Sequence, residues 1–329
     1  MVSMKDIADR LKVSKSTVSL VLSGKAGGHV SESVKRDVLR VAREMNYHVN
    51  GVARSLRTGS SQLISVIVTD ISNEFFGRLT FHIQEEAKKK GYLVLTINSN
   101  ESTREFEDMV TMLMSKQVDG IIAVPTPGGE AAVQRIIDQG VPVVTVDRLC
   151  EGLDVDYVGV DNYAASLSAM DELLSDGFRK VSMVRLDLDI PPLEERERGY
   201  LDSMRKRGLE AGAKVLRVRF GDDDESGIGE AMAVARDCEA VFFSSHRVFT
   251  QAMTWMSHNG GIPRGQCLLC FDDVSPYMTG ASDIRFIDQP VAEMARKAFR
   301  LLMRQITGEK ALHRQYIFPT KCISGKSYL

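Results

Sequence analysis

Two kinds of segment are missing from this sequence of 329 residues, a long apolar run and a secretory leader. No stretch approaches the ~18 consecutive apolar residues of a membrane span, and residues 1–10 (MVSMKDIADR) contain two acids and no apolar core. Cysteine is scarce, with five residues scattered along the chain, which argues against a disulfide framework. We therefore expect a cytoplasmic protein, associated with the nucleoid, with reduced thiols and no membrane contact.

Signatures of catalysis and metal binding are also lacking, since the sequence has no Walker loop, no GxSxG and no HExxH. Cys267 and Cys270 have CxxC spacing, but they fall in a predicted buried strand, where side chains three apart point to opposite faces. We interpret this pair as structural. The acidic run at 222–225 is predicted as a solvated loop leading into a helix. We expect no cofactor, no metal and no enzymatic activity.

The charge is unevenly distributed along the chain. Residues 1–60 carry eleven Lys and Arg side chains and five acids, a net charge of +6. The remaining 269 residues carry 31 bases and 39 acids, a net charge of −8. A basic head on an acidic body indicates a polyanionic partner for the head.

Three short helices are predicted in the basic head. Ser3 and Asp6 can form a capping box for the first, while Ser14 and Ser31 can cap the second and third. Two short helices joined by a tight turn and backed by a third make a helix-turn-helix module, whose second helix enters the DNA major groove by its N-terminal end. A small structural three-helix domain with a polar surface is the alternative.

The body has a different periodicity, with short β-rich runs alternating with helical segments. The first series of strands is predicted at 63–69, 93–98, 120–125 and 141–146, and the second at 180–186, 214–220, 240–245, 267–271 and 284–287. A last helix near 290–307 and a closing strand near 315–322 follow. Continuous apolar runs are typical of strands buried on both faces of parallel sheets. We predict two doubly wound halves, which bind ligands at the carboxyl ends of their strands.

Three acids, Asp70, Asp147 and Asp272, end or follow predicted strands. Carboxylates in such positions can accept hydrogen bonds from paired hydroxyls of a polyol ligand. Each acid taken singly is also a good helix N-cap, and that alternative stays open on position alone.

Specific strings add a resemblance to a known family. MKDIADRLKVSKSTVSLVLSGK, HVSESVKRDVLRVAREMNYHVNGVARSLRTG and ISVIVTDISNEFF are followed in order by VDGIIAVP, VPVVTVDR, VGVDN, ERERGY, FDD and ISGKS. Over essentially its whole length the chain resembles the lactose/galactose repressor family of bacterial transcription regulators. The resemblance implies a helix-turn-helix head and a body like periplasmic sugar-binding proteins, with chain crossings near Asp161, Asp288 and Pro319.

The resemblance, together with the helix pattern, predicts the residues that contact DNA. NGVARSLR (50–57) is too short to hold as a helix alone in water, and the family uses it as a hinge helix that wedges Leu56 into the minor groove. The family string usually has arginine where this chain has Leu20. The predicted DNA-binding residues are Ser14, Lys15, Ser16, Thr17, Ser19, Leu20, His29, Asn50, Ala53, Leu56 and Arg57.

The resemblance also predicts a ligand site, with a clasping arginine, two carboxylates and an aromatic pair. After the strand at 240–245 the family usually shows Asn-Asp or Asn-Asn, whereas this chain has Ser245-His246-Arg247, so no named ligand carries over. The predicted effector-binding residues are Asp70, Phe75, Phe76, Asp147, Arg196, Ser245, His246 and Asp272.

The predicted domains are a helix-turn-helix head at 1–48, a hinge at 49–60 and a body at 61–329. The body divides into an N-subdomain, about 61–161 and 289–320, and a C-subdomain, about 162–288. We expect a transcription regulator, a repressor, that binds a palindromic double-stranded operator as a homodimer and responds to a small effector. A solute-binding or enzymatic α/β protein with an unrelated basic head is the alternative.

Overall fold

The computed structural model describes residues 2–24, 26–47, 55, 59–221, 226–278, 283–309, 312 and 314–324. The chain divides into two compact units, residues 1–61 and 62–329. The predicted hinge contacts Asn50, Ala53, Leu56 and Arg57, like the acidic run 222–225, lie outside the described residues. In the described part of the chain, no helix has the length and apolar character needed to cross a membrane.

The residues described between 2 and 47 form three α-helices of the first unit, α1 (Met4–Leu11), α2 (Lys15–Leu22) and α3 (Glu32–Glu44). Each begins at the predicted serine cap, and the Ser3–Asp6 capping box is formed in both directions. Apolar side chains from all three helices form one small core, which includes Ile7, Val18 and Val38. The prediction of a helix-turn-helix head is confirmed.

In the second unit, the described residues form two six-stranded sheets. The sheet of the N-subdomain has the order β11-β5-β4-β3-β1-β2 with parallel neighbours throughout. Its strands are β1 (Leu63–Val68), β2 (Leu93–Asn98), β3 (Gly120–Ala123), β4 (Val143–Val146), β5 (Asp156–Val160) and β11 (Gln315–Phe318). The helices around it are α4 (Glu74–Lys89), α5 (Thr103–Ser115), α6 (Glu130–Asp138) and α11 (Val291–Ile306).

The sheet of the C-subdomain has the order β12-β10-β9-β8-β6-β7, and only the β10–β12 pair is antiparallel among these neighbours. Its strands are β6 (Val181–Leu186), β7 (Lys214–Val218), β8 (Ala240–Phe243), β9 (Cys267–Phe271), β10 (Asp283–Asp288) and β12 (Lys321–Ser324). The helices around it are α7 (Asn162–Ser175), α8 (Pro191–Lys206), α9 (Ser226–Ala235) and α10 (His246–His258).

The chain passes between the two sheets after β5, after β10 and between β11 and β12. The predicted closing strand at 315–322 is therefore two strands in different sheets, because Pro319 and Thr320 carry the chain across. Strand β5 was missed as an element in the sequence, since DYVGV is short and contains a glycine. These crossings place the carboxyl ends of both sheets around one crevice.

Candidate functional site

The exposed N-terminal end of α2 carries the candidate DNA-reading groups of the head. Lys15 and Ser16 are exposed, Thr17 is half-buried, and the hydroxyl of Ser14 accepts the Thr17 backbone N–H at 3.0 Å as the cap. Leu20, one turn further on, is 38% exposed. His29 is exposed in a 3₁₀ turn that precedes α3. Ser14 thus fixes the helix start, while its neighbours remain accessible.

The crevice of the second unit is lined by acids that follow three strands. Asp70, Asp147 and Asp272 follow β1, β4 and β9, and all three are largely buried. Asp147 and Asp272 have positive φ angles of 66° and 96°, a backbone conformation that is uncommon for non-glycine residues and recurs at functional sites. Their position is therefore determined by backbone geometry that costs free energy.

Arg196 is held rigidly beside these acids by α8. Its Nε donates to the Asn162 side-chain oxygen at 2.8 Å and its Nη1 donates to the Ser244 carbonyl at 2.7 Å. The guanidinium also lies 3.5 Å from the centre of the Phe271 ring. Asn162 begins α7 immediately after the first crossing, so Arg196 connects the crevice to the point where the chain first passes between the subdomains.

Asp272 makes a similar connection at the second crossing. One carboxylate oxygen accepts the Gln289 side-chain N–H at 2.6 Å, and the other accepts the His246 backbone N–H at 3.1 Å. Gln289 lies between β10 and α11, where the chain returns to the N-subdomain. Arg196 and Asp272, two of the predicted effector-binding residues, are thus hydrogen-bonded to the segments about which the subdomains could rotate.

Ion pairs also cross the crevice from one subdomain to the other. The Arg247 Nη1 donates to Asp70 at 2.6 Å, and Arg78 Nη1 donates to Asp273 at 2.6 Å. The His246 Nε2 lies 3.1 Å from a Glu74 carboxylate oxygen. These contacts join α4 and the end of β1 to the N-terminal end of α10 and the loop after β9.

Burial dominates the electrostatics of the crevice. It raises the pKa of Asp147 and the pKa of Asp272, although nearby guanidinium groups act in the opposite direction. Burial also lowers the pKa of Arg196, which nevertheless stays charged at neutral pH. Hydrogen bonds from the hydroxyl groups of a bound ligand could offset the free-energy cost of desolvating these charged side chains.

Seven of the eight predicted effector contacts line one cavity, namely Asp70, Phe75, Phe76, Asp147, Arg196, Ser245 and Asp272. His246 is the eighth, and its imidazole faces Glu74 instead. The cavity is also lined by Glu101, Arg148, Phe220, Arg247 and Gln289, which sequence reasoning did not single out as ligand contacts. Arg148 and Arg247 directly adjoin predicted contacts in sequence, and that adjacency was the available signal.

The cavity between these side chains measures about 50 Å³. Ligand pockets for small molecules usually enclose ~300–1,000 Å³, so a metabolite enters only if the subdomains separate or lining side chains move. Among the described residues, no group of three or more His, Cys, Asp or Glu side chains could hold a metal ion.

The comparisons with known proteins agree with this architecture. Residues 3–50 match the family model of bacterial regulatory proteins of the lacI family, and residues 64–310 match the periplasmic binding protein domain. The chain is 28% identical to the ribose operon repressor of Halalkalibacterium halodurans over 326 residues, which cover 98% of this chain and 96% of that protein.

Solved structures show the same fold. A lacI-family transcriptional regulator from Silicibacter pomeroyi superimposes with a TM-score of 0.79 at 20% identity, covering 98% of each chain. A periplasmic binding protein/LacI transcriptional regulator from Alkaliphilus metalliredigens QYMF, in complex with D-xylulofuranose, gives a TM-score of 0.68 at 25% identity, covering 80% of this chain and 97% of that one. The chain belongs to the lacI family of bacterial transcription regulators, with a DNA-binding head and a periplasmic-binding-protein-like body.

Proposed function

We propose that this regulator is a repressor whose affinity for a palindromic operator is controlled by a small polar effector, bound in the crevice without being chemically changed. The observation that carries the proposal is that Arg196 and Asp272, which line the crevice, hydrogen-bond directly to residues at two chain crossings. A ligand that competes for these side chains shifts the balance between subdomain arrangements. The assignment as a repressor is supported by the ribose operon repressor of Halalkalibacterium halodurans, which is similar to this chain over 98% of its length.

The DNA contacts are proposed to come from two elements. Lys15, Ser16 and Thr17 at the start of α2 approach base edges and phosphates, since they lie at the exposed positive end of a helix. The segment 50–57 supplies the second element, with Leu56 as a wedge. Ser55, within that segment, accepts the Gly59 backbone N–H at 2.8 Å.

The proposed homodimer would use the open edge of the N-subdomain sheet. Strand β2 lies at that edge, and its Leu93 and Leu95 side chains are 71% and 38% exposed. Phe81 on α4 and Met112 on α5, the helices adjoining β2, are also exposed. Large exposed apolar side chains along a sheet edge favour association with a second copy, which would pair two heads for a two-fold operator.

The test measures operator affinity and its response to ligand in the same samples. Fluorescence anisotropy with an operator selected from a randomised palindrome library should show log K falling by ~0.9 per phosphate contacted as log salt rises. A panel of sugars and sugar derivatives is then screened for changes in melting temperature and in operator affinity. A ligand recovered unaltered by NMR after incubation supports binding without turnover.

Asp272→Asn is the informative variant, because it keeps the shape of the side chain and removes its charge. We expect operator binding in the effector-free mode to persist and the effector response to be lost. Asp154→Asn, an exposed aspartate in the loop before β5, is the matched control. A normal effector response in Asp272→Asn would mean that the crevice is not the regulatory site.

A further inference from the structure

The wall of the crevice formed by the start of α10 carries a cationic group and an unused hydroxyl. Ser245 is the cap residue of this 13-residue helix, yet its hydroxyl caps no backbone N–H. The side chain is 6% exposed, and its Oγ has no hydrogen-bond partner among the residues that the structure describes. The Asp272 carboxylate already accepts the backbone N–H of His246 at this helix end, so the Ser245 hydroxyl is the group left to donate to an anionic ligand group.

Arg247 extends this wall into the cavity. Its Nη1 donates to Asp70, and its guanidinium lies 4.7 Å from the centre of the Phe220 ring, so the side chain is fixed on two sides. Its Nε is buried and finds no partner in the described part of the chain. The Nε edge of a guanidinium presents two parallel N–H groups, the arrangement that binds a carboxylate in bidentate fashion.

The other charges of the cavity are already paired in a way that leaves this edge available. Asp70 accepts from Arg247 with one oxygen and from the Ser72 hydroxyl and backbone N–H with the other. Glu101 accepts from Arg148 with both oxygens, at 2.6 and 2.7 Å. Asp147, Asp272 and Arg196 keep lone pairs or N–H groups that can contact hydroxyl groups of a ligand.

We propose that the effector is a polyhydroxylated carboxylic acid, an aldonic or uronic acid, whose carboxylate binds the Nε edge of Arg247 and the Ser245 hydroxyl. This inference rests on the proposed function and specifies the chemical class of its ligand. A carboxylate is planar and carries one charge, so it matches a single guanidinium edge. A phosphate ester would bring additional negative charge beside Asp70 and Asp272, and a neutral sugar would offer Arg247 and Ser245 only uncharged hydroxyl acceptors, which bind a guanidinium more weakly than a carboxylate does.

The experiment is calorimetric titration of the full-length protein with matched sets of compounds. Each set contains an aldose, its aldonate, its uronate and its 6- or 5-phosphate, in the gluco, galacto and ribo series. We expect one acid to bind at least about tenfold more tightly than its parent aldose and its phosphate ester, and to change operator affinity.

Substitutions at Arg247 and at Asp70 should change the affinity for the acid in opposite directions. Arg247→Gln should weaken acid binding by about 10- to 100-fold, and Arg247→Lys should weaken it less, because the charge remains while the fork is lost. Asp70→Asn should strengthen acid binding, since it removes a negative charge close to the Arg247 guanidinium that is proposed to hold the ligand carboxylate. Arg264→Gln, an exposed arginine of the same subdomain, is the control and should bind as the parent does.

The outcomes separate the inference from the proposed function. An aldose that binds and changes operator affinity, with no acid binding, overturns the inference and leaves the proposed function intact. Weaker acid binding in Asp70→Asn also overturns it, because Asp70 would then contact ligand hydroxyls directly. If no compound binds and operator affinity never changes, both the inference and the proposed function fail.

Discussion

At the scale of single residues, Asp147 combines an unfavourable environment with a proposed role in binding. Its carboxylate is buried, its backbone is left-handed, and its nearest cation, Arg148 Nε at 3.9 Å, belongs to a side chain already bound to Glu101. Burial therefore raises its pKa above the ordinary aspartate value. Such a residue stabilises a bound ligand at the expense of the stability of the free protein.

Asp147→Asn should raise the free energy of unfolding at pH 7 by on the order of 1 kcal/mol, and the melting temperature should rise with it. Because the folded-state pKa lies above the unfolded one, the parent loses stability as the pH rises through these values, and the variant does not. Asparagine also tolerates the left-handed backbone. Melting curves from pH 4 to 8 should show the gap closing towards low pH, and a gap that is constant with pH would contradict this explanation.

Leu20 is the residue of the head where readout should differ from that of relatives. A leucine donates no hydrogen bond, so at this exposed position on α2 it offers an apolar contact such as a thymine methyl group. Leu20→Arg should change the preferred operator without abolishing binding. Selection from a randomised palindrome library measures this, and an unchanged preference would show that position 20 does not read DNA.

The chemistry of single residues was only partly predictable. Asp70, Asp147 and Asp272 could be predicted to line the crevice because each follows an apolar run, and such runs end at one edge of a parallel sheet. The partners of those acids could not be predicted. Arg247 reaches Asp70 across 177 positions of sequence, and no local pattern encodes such a pairing.

At the scale of elements, the closest approach of α7 and α8 depends on Gly199. A Cβ atom there would lie 2.7 Å from the Tyr163 carbonyl oxygen and 2.8 Å from the Ser166 Cβ. Arg196, three residues earlier on α8, hydrogen-bonds to Asn162 on α7 at 2.8 Å. The glycine is therefore needed for contact between the helices rather than for a turn.

Gly199→Ala should destabilise the body by about 1–3 kcal/mol, because α8 must move away from α7 to admit the methyl group. It should also weaken the effector response, since Arg196 would shift. Denaturant titration provides the free energy of unfolding. Gly212→Ala is the matched control, because a Cβ at that position meets nothing within 4 Å and should leave stability unchanged.

The periodicity of the sequence predicted most elements, but not their assignment to sheets. The run at 315–322 reads as one strand because its apolar residues are nearly continuous, yet the structure divides it between β11 and β12. Pro319, which has no backbone N–H for a ladder, marks the division. Strand order and the destination of each crossing depend on contacts between distant segments, which local patterns do not specify.

At the scale of the whole molecule, the apolar edge of the N-subdomain carries the prediction of oligomeric state. The double variant Leu93→Asp/Leu95→Asp places charges on exposed positions of β2, where they would oppose each other across a two-fold interface. We expect a monomer in sedimentation velocity and an operator affinity lowered by more than about tenfold.

Val234→Asp changes an apolar side chain on α9 of the C-subdomain that is also exposed, and it serves as the control. It should sediment and bind the operator as the parent does. A double variant that remains dimeric would show that the open edge of β2 is not the interface.

The threading of the body has a consequence for biosynthesis. The head is complete once residue 47 has left the ribosome, whereas the N-subdomain still needs α11 and β11, and the C-subdomain needs β12, all from residues 291–324. During translation a finished head therefore precedes an unfinished body. If operator binding requires the proposed homodimer, it waits for two finished bodies, and a newly made regulator would be able to bind its proposed effector before it first represses a gene.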